Sequence, residues 1–133
     1  MRLKVGASDL QVSSLGRWVV SGNTAAHTVK LVDGATGADV AGGSVSVATA
    51  GAPAGAFRYA TLAAPLILRA NSTYYLVTQE TAGGDAWYDY DTRVVTTSAG
   101  SDTGAVYSTA ANPGTWMAGG TTGNAYVPPS FLY

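Results

Sequence analysis

His27-Thr28-Val29-Lys30-Leu31-Val32 runs into Asp33-Gly34-Ala35-Thr36-Gly37, and the chain resumes with Asp39-Val40. In an extended backbone successive side chains point to opposite faces, so His27, Val29 and Leu31 share one side and Thr28 and Lys30 the other. That alternation predicts a half-buried strand. The glycines that follow take positive φ without steric cost, which makes Asp33–Gly37 a hairpin turn. The partner strand runs through Asp39–Val40, and another covers Ser44–Val47.

Working outward, the same rhythm of short β-like runs and Gly, Pro, Asn or Asp clusters fills the chain. Upstream, Arg2–Val5 and Leu10–Val20 read as strands, with Gly16 as a bulge, before the loop Ser21-Gly22-Asn23-Thr24. Downstream, Ala48–Gly55 is a loop, Phe57–Leu62 a strand that Pro65 interrupts, and Leu66–Leu68 its resumption. Asn71-Ser72-Thr73 matches a glycosylation sequon and reads more simply as a turn. Thr73–Glu80 is the clearest strand. Gly83-Gly84-Asp85 turns into a strand over Ala86–Thr97. Ala105–Ser108 precedes a turn at Asn112-Pro113-Gly114, and Thr115–Met117 and Ala125–Tyr133 complete the set. Pro128 and Pro129 put the last strand at an edge or mark its break. No stretch has a helical period, and no repeat or linker divides the chain. The expectation is one all-β domain over residues 1–133, an antiparallel β-sandwich of jelly-roll-like type.

Composition supports this. Of 133 residues 47% are hydrophobic and 11% charged, the opposite of a disordered chain. Val, Thr, Tyr and Trp carry the apolar content, whereas Glu occurs once and Lys twice, so strong helix formers other than Ala are scarce. A formal charge of −1 with no basic stripe argues against nucleic-acid binding. The absence of cysteine removes disulfides and thiolate metal sites together. No apolar run approaches the ~20 residues of a membrane span. Met1–Gly6 lacks a signal-peptide core, and with this composition a module of a larger exported protein is expected.

Chemistry-bearing residues are few. His27 is the single histidine and falls in phase with Val29 and Leu31, so it is expected at the core's edge, hydrogen-bonded and inert. Glu80 with Asp85, Asp89 or Asp91 is a weak candidate for a glycosidase pair, since carboxylates close in sequence are usually solvated strand-end charges. Asp85, Asp89 and Asp91 are also hard oxygen donors suited to a structural calcium, without the spacing of the twelve-residue calcium loop. Apart from that calcium, no cofactor is expected.

The most informative stretch is Gln79-Glu80-Thr81-Ala82-Gly83-Gly84-Asp85-Ala86-Trp87-Tyr88-Asp89-Tyr90-Asp91. On a regular strand Trp87, Asp89, Asp91 and Arg93 share one face, an indole beside two acceptors and a five-donor fork. Sugars present such a demand: an apolar C–H face to stack on a ring, and hydroxyls at its rim. Trp116 lies between turn-rich segments, where the binding loops of sandwiches cluster. Trp18, beside Arg17, is a lesser candidate. The bland alternative packs these rings into the core.

Leu15-Gly16-Arg17-Trp18-Val19-Val20, Gly22-Asn23 and His27–Val32 resemble β-sandwich domains of unknown function in secreted bacterial proteins. The resemblance continues through Phe57–Leu62, Pro65, Asn71–Val77, Gln79-Glu80-Thr81, Trp87-Tyr88 and Tyr126-Val127-Pro128, covering most of the chain. Such domains are appended to carbohydrate-active or cell-surface proteins and are similar to carbohydrate-binding modules. The resemblance implies a jelly-roll-like sandwich with an accessory role, and brings no defined binding residues with it.

The sequence therefore predicts a non-catalytic module, secreted or at the cell surface, that targets a larger protein to a polysaccharide. Trp87, Trp116 and Tyr126 are its expected stacking surface; Gln79, Asp89, Asp91 and Arg93 are its expected hydrogen-bonding groups. The alternative is a structural or adhesive spacer without a small-molecule ligand. A small glycosidase is the third reading.

Overall fold

The computed structural model describes residues 1–87, 92–126 and 129–133. Among them lie twelve strands and no helix: β1 (Arg2–Val5), β2 (Leu10–Trp18), β3 (Ala26–Asp33), β4 (Asp39–Ala48), β5 (Phe57–Leu68), β6 (Thr73–Thr78), β7 (Thr92–Arg93), β8 (Gly100–Asp102), β9 (Ala105–Thr109), β10 (Asn112–Gly119), β11 (Asn124–Ala125) and β12 (Pro129–Leu132).

Two antiparallel sheets, ordered β4-β3-β6-β1-β8 and β12-β2-β5, form the sandwich. The pairing is nested: β3 with β4, β2 with β5, β1 with β6. The chain thus folds as one long hairpin whose arms, β1–β3 and β4–β6, cross together from sheet to sheet. Pairing of β3 with β6 then closes the larger sheet. This rolled hairpin is the jelly-roll pattern.

Period two decides what is buried. Val29 and Leu31 of β3, Tyr74 and Leu76 of β6, and Leu3 and Val5 of β1 face Leu10, Val12 and Leu15 of β2 and Leu62 and Leu68 of β5 across the core. Residues between them face outward on the five-stranded sheet; Lys30 is registered with Ser44 on β4 and Val77 on β6. The turn leaving β3 is built as its sequence suggests. Asp33 Oδ1 accepts from the backbone N–H groups of Ala35 and Thr36, each at 2.9 Å, and Gly37 has φ +75°.

Several local expectations are corrected. Asp39–Val40 and Ser44–Val47 belong to one strand, irregular between them, with Gly42 at φ +74°. Pro65 does not break β5. It lies in the stretch where Val12 and Ser14 of β2 face Leu66 and Thr61, on an edge strand whose missing N–H no ladder needs. Gly16 is no bulge; a Cβ there would sit 2.5 Å from the Tyr59 ring, so glycine is required by close packing. The β9–β10 turn is Ala110-Ala111, while Pro113 and Gly114 fall inside the irregular stretch of β10 between Asn112 and Met117. The C-terminal run divides into β11 and β12, and β12 is indeed an edge strand. The short strand β8 has no signal of its own.

The expected strand Ala86–Thr97 is the largest correction. Among the described residues of that stretch only Thr92–Arg93 is strand, paired with Asn124–Ala125; Ala86, Trp87 and residues 94–97 are irregular. Tyr88, Asp89, Tyr90 and Asp91 lie outside the described residues. At Asp85 and Ala86 the reason is local, because both are tied to β2, β3 and the loop between them by side-chain hydrogen bonds.

Candidate functional site

The β9–β10 hairpin lies over the outer face of the five-stranded sheet. Trp116 of β10 holds it there: its ring centroid is 5.7 Å from that of Tyr75 on β6, and its indole N–H donates to the Gly37 carbonyl at 3.2 Å. Between hairpin and sheet opens a cleft of about 1090 Å³. Its floor includes Thr28, Lys30 and Val77, and its rim carries Trp87, Tyr107, Trp116 and Tyr126. Tyr107 is 51% exposed, Tyr126 38% and Trp87 36%. Trp116 is half-buried and lines the cleft.

Four residues singled out in the sequence, Gln79, Trp87, Trp116 and Tyr126, therefore line the same cleft. Gln79 and Trp87 reach it from the segment after β6, Trp116 from β10 and Tyr126 from the approach to β12. Arg93 is exposed on β7 and is not part of the cleft lining. Asp89 and Asp91 lie outside the described residues, so the expected row Trp87, Asp89, Asp91, Arg93 is represented by its ends alone, and Trp87 is not in a strand. Trp18 also lies away from the cleft, packed edge-on against Phe57 at 5.1 Å.

The charged side chains of the cleft lining, Lys30, Asp39 and Glu80, are all paired. Lys30 Nζ donates to Asp39 at 2.7 and 2.9 Å. Glu80 accepts from Arg17 Nε at 2.8 Å and Nη2 at 2.9 Å, and from the Thr78 hydroxyl at 2.8 Å, while His27 Nδ1 lies 3.2 Å from its other oxygen. Each of its oxygens thus holds an Arg17 donor.

Behind Glu80 lies a buried polar cluster. Arg17 is fully buried, and each of its five donors has an acceptor: the two Glu80 oxygens, the Trp18 carbonyl, Asn23 Oδ1 and the Ala86 carbonyl. Asn23 takes the Val20 N–H on the same Oδ1 and donates Nδ2 to the Ala86 carbonyl at 2.9 Å. His27 is buried and hydrogen-bonded, in phase with Val29 and Leu31 as its alternation predicts, with Nε2 3.0 Å from Asp85. Asp85 also receives the N–H groups of Thr24 and Ala25 and the Thr49 hydroxyl. The His27 hydrogen bond, then those of Ala25, Thr24 and Thr49, hold the Asp85 carboxyl well below the usual carboxylate range against the opposing effect of burial.

Asp85 is thus no solvated strand-end charge, and with its oxygens turned to these donors it is poorly placed to ligate calcium. No group of three or more His, Asp or Glu among the described residues is placed to hold a metal. A hollow of about 260 Å³ at Ala25, His27, Gly84 and Asp85 is small for an organic ligand. Comparison with protein-family models, with curated proteins and with solved structures gave no match.

Proposed function

We propose that this domain is a non-catalytic carbohydrate-binding module that takes a neutral polysaccharide in the cleft beneath the β9–β10 hairpin, and that it serves a larger secreted or cell-surface protein. The observation that carries the reading is the convergence of Trp87, Tyr107, Trp116 and Tyr126 on one cleft with the polar groups of Gln79, Thr28 and Lys30. Flat rings take the C–H faces of pyranoses, and the polar groups take hydroxyls. A cleft of about 1090 Å³ suits several sugar units rather than one.

The wall supports a neutral ligand. Lys30 is matched by Asp39 and Glu80 by Arg17, so a uronate or sulfate would meet no unpaired cationic side chain among the described lining residues. The engagement of Glu80 by Arg17 and Thr78 favours binding over hydrolysis, because a general acid or nucleophile needs an oxygen free for substrate. The test is retention on cellulose, xylan, mannan and chitin against alginate and carrageenan, with and without Trp87→Ala. Retention on a neutral polymer, unaffected by salt and lost in the folded variant, is expected. Retention on none, or undiminished retention of the variant, overturns the proposal.

A further inference from the structure

The segment leaving β6 has no ladder of its own. Thr81–Gly84 and Trp87 are irregular and mostly exposed, with Gly83 at φ +76°. Yet the two residues before Trp87 are heavily hydrogen-bonded to distant parts of the chain. Asp85 gathers donors from Thr24, Ala25, His27 and Thr49. The Ala86 carbonyl receives both Asn23 Nδ2 at 2.9 Å and Arg17 Nη2 at 3.2 Å. An exposed loop rarely commits a fully buried arginine and a buried asparagine to one backbone carbonyl, since ordering such groups is costly and an unpaired buried one more so.

We infer that Arg17 and Asn23 are positioning residues for Trp87: they fix the backbone one residue before it and so hold the indole at the cleft rim before any ligand arrives. The inference rests on the cleft being the binding site, and it adds that the site is preorganised through the sandwich interior. Affinity then depends on side chains that never touch the ligand, because a ring already in place loses less freedom on binding.

Asn23→Asp isolates the effect. The substitution keeps Oδ1 for Arg17 and the Val20 N–H and replaces the donor to Ala86 with a carboxylate oxygen, which repels that carbonyl. A double-mutant cycle with Trp87→Ala, read as affinity for whichever neutral polymer the wild type retains, separates positioning from general damage. Asn23→Asp should weaken binding about 5- to 10-fold when Trp87 is present, a loss of ~1–1.4 kcal/mol, and have no effect in the Trp87→Ala background. An equal loss in both backgrounds, or none in either, overturns the inference. A ligand-free readout accompanies it: the ¹H–¹⁵N heteronuclear NOE of the Ala86 and Trp87 amides should fall in Asn23→Asp while β-strand amides are unchanged. Unchanged values for both amides refute positioning even if the polymer still binds. Failure of the wild type to bind any polymer, by contrast, removes the proposed function and leaves the NOE result to decide the positioning.

Discussion

Replacing Arg17 by methionine keeps much of the side-chain volume and removes every one of its five donors. The Glu80 carboxylate, 11% exposed, loses both charge-assisted bonds and keeps the Thr78 hydroxyl and the His27 contact. The Trp18 carbonyl loses its guanidinium donor, whereas Asn23 Oδ1 and the Ala86 carbonyl each retain one partner. Breaking a buried ion pair from one side typically costs about 3–5 kcal/mol, because the remaining charge stays buried without compensation. A 133-residue domain has an unfolding entropy near 0.28 kcal/mol/K, so the same loss lowers Tm by roughly 10–18 °C. Urea denaturation at neutral pH, with the m-value checked for constancy, measures it. Adding Glu80→Gln should recover part of the loss by removing the stranded charge. A cost for Arg17→Met below about 1 kcal/mol would show that the cluster is not what joins β2 to the segment before Trp87.

Acid should unfold the domain in a defined window. Asp85, Asp9 and Asp33 are all held below their ordinary value of 3.8, so each adds stability that is complete above that pH and is lost as pH falls toward the folded-state value. Asp102, pushed up by burial, acts in the opposite sense and offsets part of the fall. Thermal melts should decline below about pH 4, and Asp85→Asn should flatten that decline. Gly16→Ala brings a methyl against the Tyr59 ring and should cost about 1–3 kcal/mol by chemical denaturation; a neutral result would contradict the close packing of β2 on β5. Tyr107→Ala, at an exposed position, should leave Tm within a degree or two and still weaken polysaccharide binding, as affinity electrophoresis would report.

The fold was legible because the core is written in period two. His27, Val29 and Leu31, and the turn at Asp33–Gly37, suffice to place β3 and the start of β4. Boundaries failed where side chains, not propensity, decide the backbone. Trp87 belongs to a run rich in strand formers, but Asp85 and Ala86 just before it are captured by Thr24, Ala25, Asn23 and Arg17 across more than sixty residues of chain. The signal for that cluster was present in the sequence. Arg17 is in phase with Leu15 and Val19 just as His27 is with Val29 and Leu31. Two basic residues on the inward faces of different strands require buried acceptors, and the single Glu is the obvious partner. In the cleft, Gln79, Trp87, Trp116 and Tyr126 were legible by residue type. Tyr107, Lys30 and Asp39 were not, because they join the site only when the β9–β10 hairpin closes over the outer face of the sheet.

The central claim, that this cleft is a glycan site, is tested most directly by the three indole N–H resonances in a ¹H–¹⁵N spectrum during titration with mixed cello-, xylo- and manno-oligosaccharides. Trp87 and Trp116 line the cleft, and Trp18 packs against Phe57 outside it. The account predicts that the Trp87 and Trp116 signals move together along a saturable curve while Trp18 stays fixed. Movement of Trp18 alone, or no movement of any indole at millimolar sugar, would contradict it.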